Sequence, residues 1–218
     1  SQHFRMYNSS YTAGELIAVL PRMNVDMSTI RFELWVKGGG SDLIIGVLDD
    51  PNDTATFVEV DTIFSYTTMS EYAIMFDSYT GSGKYIGLKH GMNSTADYIY
   101  IDDINIYAPL ANDIQVVQFL GSYGGLGVTS TDTVTVIVKN SGSTAQTSIP
   151  MKYSLDNATV VTETMTSLAA FTTDTFTFAT TYDATAGGQH TLVAYSDLSN
   201  DGDNSNDTAM TSFITNEV

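Results

Sequence analysis

The sequence contains no cysteine. Disulfides, thiolate nucleophiles and zinc–thiolate sites are therefore excluded together. Basic residues are scarce as well, since 8 Lys and Arg stand against 25 Asp and Glu, for a formal net charge of -17 over 218 residues. Phosphate contacts need clustered Lys and Arg, so we expect no nucleic-acid partner, and the same charge disfavours an anionic membrane surface.

Long apolar runs and catalytic motifs are also missing. No stretch of about 18 apolar residues is present, so we expect no membrane insertion. The three histidines, His3, His90 and His190, are far apart, and no H-E-x-x-H or G-x-S-x-G motif occurs. We therefore expect no catalytic residues and a protein that is not an enzyme. The N-terminal residues resemble the middle of a strand, which predicts a piece of a longer exported precursor.

Strand signals fill most of the remaining sequence. The run from Ile30 to Lys37 alternates apolar with mostly charged residues and ends in Gly38-Gly39-Gly40, which is typical of a half-buried strand. Similar runs predict strands at Glu15 to Leu20, Leu43 to Leu48, Phe57 to Ile63, Glu71 to Phe76, Lys84 to Lys89 and Tyr98 to Tyr107. This regular spacing predicts an all-β fold and a β-sandwich.

The pattern breaks between Ala108 and Asp113, where Pro109 lies among small residues. We place a domain boundary there, with domains at 1–108 and 109–218. About seven further strands follow, which favours an immunoglobulin-like β-sandwich for the second domain. Because that half is rich in Thr and poor in large aromatic residues, we expect it to have a thin core.

Within the segment from Tyr98 to Tyr107, the apolar residues change parity. Ile99 and Ile101 are odd-numbered, whereas Ile104 and Ile106 are even-numbered. If all four face the core, the strand must contain a β-bulge at Asp102-Asp103. Two carboxylates on a bulge could bind a cation, or the pair could simply face solvent on a twisted strand.

The first domain resembles the cleaved-adhesin and MAM-like jelly rolls of secreted Bacteroidetes proteins, the gingipain haemagglutinin type. The matching segments are residues 100–104 (Tyr-Ile-Asp-Asp-Ile), 84–89 and 46–57. In that family the terminal Asp pair holds a structural calcium together with acidic residues near the N-terminus of the domain. The resemblance thus implies Ca²⁺ at Asp102 and Asp103. Such domains usually begin further upstream, so it also implies an N-terminally truncated domain whose calcium site is either incomplete or completed by another chain.

Two further acidic segments have alternative interpretations. The loop containing Asp50 and Asp53 could bind calcium, although Asp-Pro-Asn-Asp is also strong turn chemistry. Asp201, Asp203, Ser205 and Asp207 alternate as EF-hand ligands do, but the expected sixth-position Gly and twelfth-position Glu are Asn206 and Ser212, which favours a solvated turn. The second domain resembles CARDB-like and immunoglobulin-like domains at residues 112–114, 134–142 and 201–208, which implies a spacer without chemistry.

Exposed aromatic residues are the candidates for ligand binding. Trp35 alternates with Leu34 and Val36, and Tyr98 and Tyr100 share one face of their strand. Such rings could stack on sugars, or most of the aromatic rings could fill the sandwich core. We expect a secreted or cell-surface bacterial protein with a non-catalytic adhesion function, whose partners are a glycan or protein on a surface and other modules of the same precursor. The alternative is an accessory carbohydrate-binding and spacer segment of an exported hydrolase or peptidase.

Overall fold

Alternating apolar and polar residues form strands along most of the chain. The structure is a computed structural model, which describes residues 4–9, 15–64, 67–93, 97–121, 123–124 and 129–216. It divides into two units, Ser1–Ala108 and Pro109–Val218. Helical structure in the described residues is confined to short 3-10 turns at Met27–Thr29 and Thr54–Thr56. The search of these residues found no helix long and apolar enough to cross a membrane.

The first unit is built from two four-stranded antiparallel sheets. Its strands are β1 (Phe4–Asn8), β2 (Ile17–Val19), β3 (Arg31–Gly38), β4 (Leu43–Leu48), β5 (Val58–Ile63), β6 (Ser70–Met75), β7 (Tyr85–His90) and β8 (Asp97–Tyr107). Their order is β1-β8-β3-β6 in one sheet and β2-β7-β4-β5 in the other. The pairs 1 with 8, 2 with 7, 3 with 6 and 4 with 5 are those of a jelly roll. The predicted all-β sandwich is therefore confirmed.

The core of this unit lies between the two sheets. One face of each strand supplies it, as the period of two requires. The contributing side chains from β3, β8, β4 and β7 are all buried: Phe32, Leu34, Val36, Ile99, Ile101, Leu43, Ile45, Val47, Ile86 and Leu88. The opposite faces of the same strands are left for solvent or ligands.

The predicted β-bulge is present in β8. Trp35 of β3 lies opposite Asp102 of β8, and Glu33 lies opposite Asn105. The two pairs are two residues apart on β3 but three residues apart on β8, so β8 contains one extra residue at this point. Asp103 has a φ of 48°, which is in the left-handed region. The bulge returns Ile106 to the core side, opposite Phe32. Ile104 does not follow, because 38% of its surface is exposed; the condition that the isoleucines face the core holds for the other three.

Two glycines on the outer face of the other sheet allow an aromatic ring to lie flat against the backbone. Gly46 and Gly87 are paired across β4 and β7, and the ring of Phe57 covers both. A Cβ at Gly46 would lie 2.5 Å from Phe57 Cζ and 2.4 Å from the carbonyl oxygen of Val58. No side chain fits there without moving the backbone, so the two glycines position the turn that precedes β5.

The second unit contains the strands β9 (Ile114–Phe119), β10 (Thr135–Asn140), β11 (Gln146–Leu155), β12 (Val161–Leu168), β13 (Thr173–Thr177), β14 (Gly188–Ser196) and β15 (Thr208–Thr215). The sheets are β13-β10-β9 and β12-β11-β14-β15. All of their pairings are antiparallel. A sandwich of three and four strands agrees with the predicted immunoglobulin-like fold.

The core of the second unit is not thin, so that expectation was wrong. Few aromatic residues are present, but most of them converge on the same interior. Tyr153 meets Phe178 edge to face with ring centroids 4.7 Å apart, and Phe176 meets Phe178 at 4.9 Å. Tyr182 is buried in the same core, and this burial raises the pKa of its hydroxyl group to about 12. The rings add large buried areas and specific edge-to-face contacts to the surrounding aliphatic side chains.

The bulge gives a testable prediction for the first unit. Asp103→Val should destabilise it by about 1–2 kcal/mol, because a β-branched residue is strained at positive φ. Asp103→Gly and the control Asp103→Asn should stay within about 1 kcal/mol of the parent, since both residues adopt this conformation readily. Urea unfolding followed by the fluorescence of Trp35, the single tryptophan, measures these changes. Equal stability of the Val and Gly variants would contradict the strained bulge.

Candidate functional site

The outward face of the sheet β1-β8-β3-β6 carries the aromatic candidates. Because Ile99 is buried and side chains alternate along a strand, Tyr98 and Tyr100 both point outward from β8. Tyr98 is 36% exposed, and Trp35 on β3 is 37% exposed. The structure therefore places all three rings on one outward face.

Strand pairing arranges this face in rows. Tyr98 lies opposite Tyr7 of β1. One row further along β8, Tyr100 lies between Arg5 of β1 and Lys37 of β3. Directly opposite residues in an antiparallel pair are close enough for their side chains to interact. The result is an aromatic row beside a row in which two cations flank a tyrosine.

The tyrosine rings form a nearly parallel strip, which we call the tyrosine strip (Tyr7, Tyr98 and Tyr100). The centroids of Tyr7 and Tyr98 are 4.5 Å apart with 22° between the ring planes. Those of Tyr98 and Tyr100 are 6.0 Å apart with 21° between the planes. The guanidinium carbon of Arg5 lies 5.1 Å from the centroid of Tyr98, within the range of a cation–π interaction. Mutual stacking holds the rings as a platform.

The strip runs into an open pocket of about 300 Å³. Its walls combine aromatic rings, glycine backbone, a lysine, a hydroxyl and a carboxyl group: Lys37, Gly38, Gly39, Thr67, Asp97, Tyr98 and Tyr100. A pocket with apolar walls and a few polar groups is the usual form of a small-molecule or sugar site.

Asp97 forms part of this pocket and is almost fully buried, with 9% of its surface exposed. Its Oδ2 atom has no hydrogen-bond partner among the described residues. Its Oδ1 atom lies 3.2 Å from the point where a Cβ on Gly39 would stand, so glycine leaves this side of the carboxyl group open. A buried carboxyl oxygen without a donor is costly, and Asp97 is at the same time one of the residues that line the pocket.

His90 lies close enough to Asp97 for the two side chains to interact electrostatically, and it is 1% exposed. The backbone N–H of Met92 donates to its Nδ1 at 3.1 Å, which assigns the proton to Nε2. That nitrogen has no partner among the described residues. Burial lowers the pKa of His90, and the nearby charge of Asp97 offsets only part of that effect. Burial thus favours the neutral imidazole.

Asp102 and Asp103 lie at the bulge, one row beyond Tyr100. The backbone N–H of Asp103 donates to Oδ1 of Asp102 at 3.0 Å, and Asp103 is exposed. Within the described part of the chain, no three His, Asp or Glu side chains are grouped so that they could hold one metal ion. These residues alone do not complete the calcium site that the resemblance implies, and calcium at Asp102 and Asp103 stays a prediction.

Asp50 and Asp53 have local roles in the loop after β4. Oδ1 of Asp50 accepts the backbone N–H of Asn52 at 2.9 Å. Oδ1 of Asp53 accepts the N–H of Ala55 at 3.0 Å and caps the 3-10 turn. Both contacts belong to the turn chemistry that was the alternative to metal binding.

In the second unit, the acidic segment 201–207 folds back on itself. Oδ1 of Asp201 accepts the N–H of Asp203 at 2.9 Å, and Oδ1 of Asp203 accepts that of Ser205 at 3.1 Å. The amide nitrogen of Asn206 donates to Asp113 at 3.0 Å. These bonds fit the turn interpretation of the segment.

Asp207 is the exception within this segment. It is 6% exposed, and its Oδ1 has no partner among the described residues. Burial raises its pKa to about 6, and the charge of Asp201, followed by those of Asp113 and Asp203, adds to the effect. A hydrogen bond with Ser196 opposes the rise. Ionisation of Asp207 therefore costs free energy in the folded protein, because its carboxyl group is buried close to other carboxylates.

Comparison with known proteins finds a family model that matches the second unit. Residues 112–210 match the CARDB family model. The predicted likeness of this unit to CARDB domains is therefore confirmed, and the likeness of the first unit to adhesin and MAM-like jelly rolls stays a prediction. No match was found among curated proteins.

Several solved structures are similar to the chain. A CARDB domain from Pyrococcus furiosus is 22% identical with a TM-score of 0.40, and the match covers 49% of this chain and 97% of that one. The glycoside hydrolase domain of Endo-D from Streptococcus pneumoniae R6 is 14% identical, with a TM-score of 0.31, and 98% of this chain spans 36% of it. A GH2 beta-galacturonidase from Eisenbergiella tayi is 9% identical, with a TM-score of 0.34, and 91% of this chain spans 35% of it.

Sequence reasoning missed four residues of the site: Tyr7, Arg5, Lys37 and Asp97. Each is an ordinary strand residue in its local context. Only the pairing of β1 and β3 with β8 brings three of them beside Tyr98 and Tyr100. The apolar residue Met6 between Arg5 and Tyr7 was the one available signal, since it predicts that those two share an outward face.

Asp207 gives a pH prediction for the second unit. Its folded pKa of about 6 lies above the ordinary value of 3.8, so the folded state binds the proton more tightly than the unfolded state does. The unit should therefore lose stability as the pH rises from about 4 through 6, by on the order of 2 kcal/mol. Asp207→Asn, which carries no charge, should remove this contribution.

Calorimetry of the full chain at several pH values between 4.5 and 7.5 measures the effect. His190 contributes in the same direction, because its hydrogen bond with Asp156 raises its pKa. A shallower slope should thus remain in the variant. Trp35 fluorescence reports the first unit and serves as the internal control. Parallel pH profiles for parent and variant would contradict the assignment to Asp207.

Proposed function

We propose that the first unit binds a glycan chain on the tyrosine strip and in the adjoining pocket. The observation that carries the proposal is the strip itself, three near-parallel tyrosine rings that lead into a pocket with a buried carboxyl group. Sugar rings present apolar C–H faces that pack on aromatic rings, and hydroxyls that need polar partners at fixed places. A stacked platform beside a polar pocket supplies both.

Each part of the site has a role in this proposal. Tyr98 already stacks on Tyr7 and Tyr100, so it contacts a sugar with its exposed edge, while Tyr100 packs against the next sugar. Asp97 accepts a hydrogen bond from a sugar hydroxyl at the deep end of the pocket, which satisfies a buried oxygen. Trp35 lies one row beyond Tyr100, a spacing of about 6.6 Å along the strand, and extends the platform for a longer chain.

The second unit then acts as a non-catalytic spacer. The CARDB match and the absence of recognised catalytic motifs in its sequence support this role. The resemblance of the first unit to secreted adhesin-type jelly rolls supports an exported or cell-surface protein of the adhesin kind, joined to other modules of one precursor. These assignments are proposals that follow from the glycan-binding first unit.

A structural calcium at Asp102 and Asp103 is proposed on the family resemblance alone. If an ion bridges the bulge, EDTA should lower the melting temperature of the first unit, and added calcium should restore it. Asp103→Asn should show no response to either. If the parent melts at the same temperature with and without the chelator, the proposed calcium site is wrong. The proposed glycan site does not depend on this result.

Removing single rings tests the glycan site. Tyr98→Ala and Tyr100→Ala should each weaken binding by about 5- to 30-fold, since loss of one well-packed ring costs about 1–2 kcal/mol. Trp35→Ala should weaken binding of polymers while leaving the shortest fragments unaffected. A polysaccharide array identifies the ligand, and titration calorimetry with the full chain then measures each variant.

A matched control removes a ring from the second unit. Tyr195 is half-buried on β14, beneath the ammonium group of Lys152, so Tyr195→Ala deletes a comparable side chain away from the strip. We expect this variant to bind as the parent does. Equal binding by the Tyr98 and Tyr195 variants, or no binding of the parent to any glycan, would overturn the proposed function.

A further inference from the structure

The basic residues of the first unit fall into two groups. This unit holds six of the 8 Lys and Arg residues: Arg5, Arg22, Arg31, Lys37, Lys84 and Lys89. Four of them are engaged by their own neighbours. Arg31 pairs with Glu33 and Lys89 with Glu15. Arg22 donates to the side-chain oxygen of Asn24 and Lys84 to the carbonyl oxygen of Val25.

Arg5 and Lys37 differ from the other four. Neither forms a hydrogen bond or an ion pair with any residue in the described ranges, and both are exposed. The one contact of Arg5 is with the face of the Tyr98 ring. Both cationic groups are therefore available to an anionic ligand.

These two cations lie in one row on either side of Tyr100. Neighbouring strands are about 4.8 Å apart, so the backbones of Arg5 and Lys37 are separated by about 10 Å with the tyrosine between them. Lys37 also lines the pocket. A sugar stacked on Tyr100 would therefore have a positive charge at each edge.

The next row carries the opposite charge. Trp35 lies between Asp102 of β8 and Glu71 of β6. An anionic group on a ligand is thus attracted to the row of Tyr100 and repelled from the row of Trp35. This alternation fixes where along the bound chain a carboxylate can lie, which a uniformly positive surface would not do.

We propose that the glycan bound by this face is an acidic polysaccharide whose sugars carry carboxylates, that is, a uronic-acid polymer. The proposal rests on the proposed function and specifies its ligand class. The apolar face of one uronic acid packs on Tyr100, and its carboxylate forms charge-assisted hydrogen bonds with Arg5 or Lys37. Asp97, at the far end of the pocket, accepts from a hydroxyl and excludes a second carboxylate there.

The test uses polygalacturonate as the acidic probe and the same polymer with its carboxylates methyl-esterified as the neutral probe. The two share one backbone, so charge is the only intended difference. Binding of the full chain is measured by affinity electrophoresis and calorimetry in EDTA, which prevents calcium bridging. Polygalacturonate should bind at least 10-fold more tightly than its ester, and its affinity should fall as salt is raised.

Variants assign the preference to the two cations. Lys37→Gln and Arg5→Gln should each reduce the preference for the acidic polymer, and the double variant should bind both polymers equally. Arg22→Gln removes the same charge from an exposed site of the same unit outside the row and should keep the full preference. Tyr98→Ala should weaken both polymers alike.

The outcomes separate this inference from the proposed function. Equal or tighter binding of the ester, or of neutral glycans on the array, overturns the acidic ligand class and leaves glycan binding intact. If the double variant still prefers the acidic polymer, other residues cause that preference, and the role of Arg5 and Lys37 is overturned. No binding to any acidic or neutral polysaccharide overturns both.

Discussion

The ligand face of the first unit depends on the register of β8 between β1 and β3. Ile99 and Ile101 must lie in the core, and the period of two then places Tyr98 and Tyr100 outside. A slip of one residue would bury the tyrosines and expose the isoleucines, so the packing energy of the core also fixes the site. The extra residue at Asp102-Asp103 lets the C-terminal part of β8 reverse which residues face the core. The N-terminal part, which carries the tyrosine rings, keeps its own register.

Local pattern was enough to predict the strands and the outward direction of Trp35, Tyr98 and Tyr100. It was not enough to predict the site. Arg5 reaches Tyr100 across about 95 positions of sequence through a jelly-roll pairing, and alternation within one strand contains no information about its partner. The acidic loops show the same limit, since Asp50 and Asp53 have the composition of a metal site and the hydrogen bonds of a turn.

One condition and one expectation failed for reasons that composition cannot reveal. The change of parity predicted the bulge correctly, yet Ile104 lies directly after the residue with positive φ and is left half outside the sandwich. In the second unit, the number of aromatic residues suggested a thin core. What matters is where the rings meet, and Tyr153, Phe176 and Phe178 meet edge to face in one interior. A few convergent rings fill more space than many dispersed ones.

The two buried aspartates, one in each unit, show how surroundings decide what a carboxyl group can do. Asp97 and Asp207 are both nearly inaccessible, and each has an oxygen without a partner in the described structure. Around Asp207 stand three further carboxylates, so its unpaired oxygen is relieved by a proton and affects stability. Asp97 instead lines a pocket shared with a lysine and two tyrosine rings. In the proposed function this carboxyl group accepts from a ligand hydroxyl, so the same residue type takes part in recognition instead of in stability.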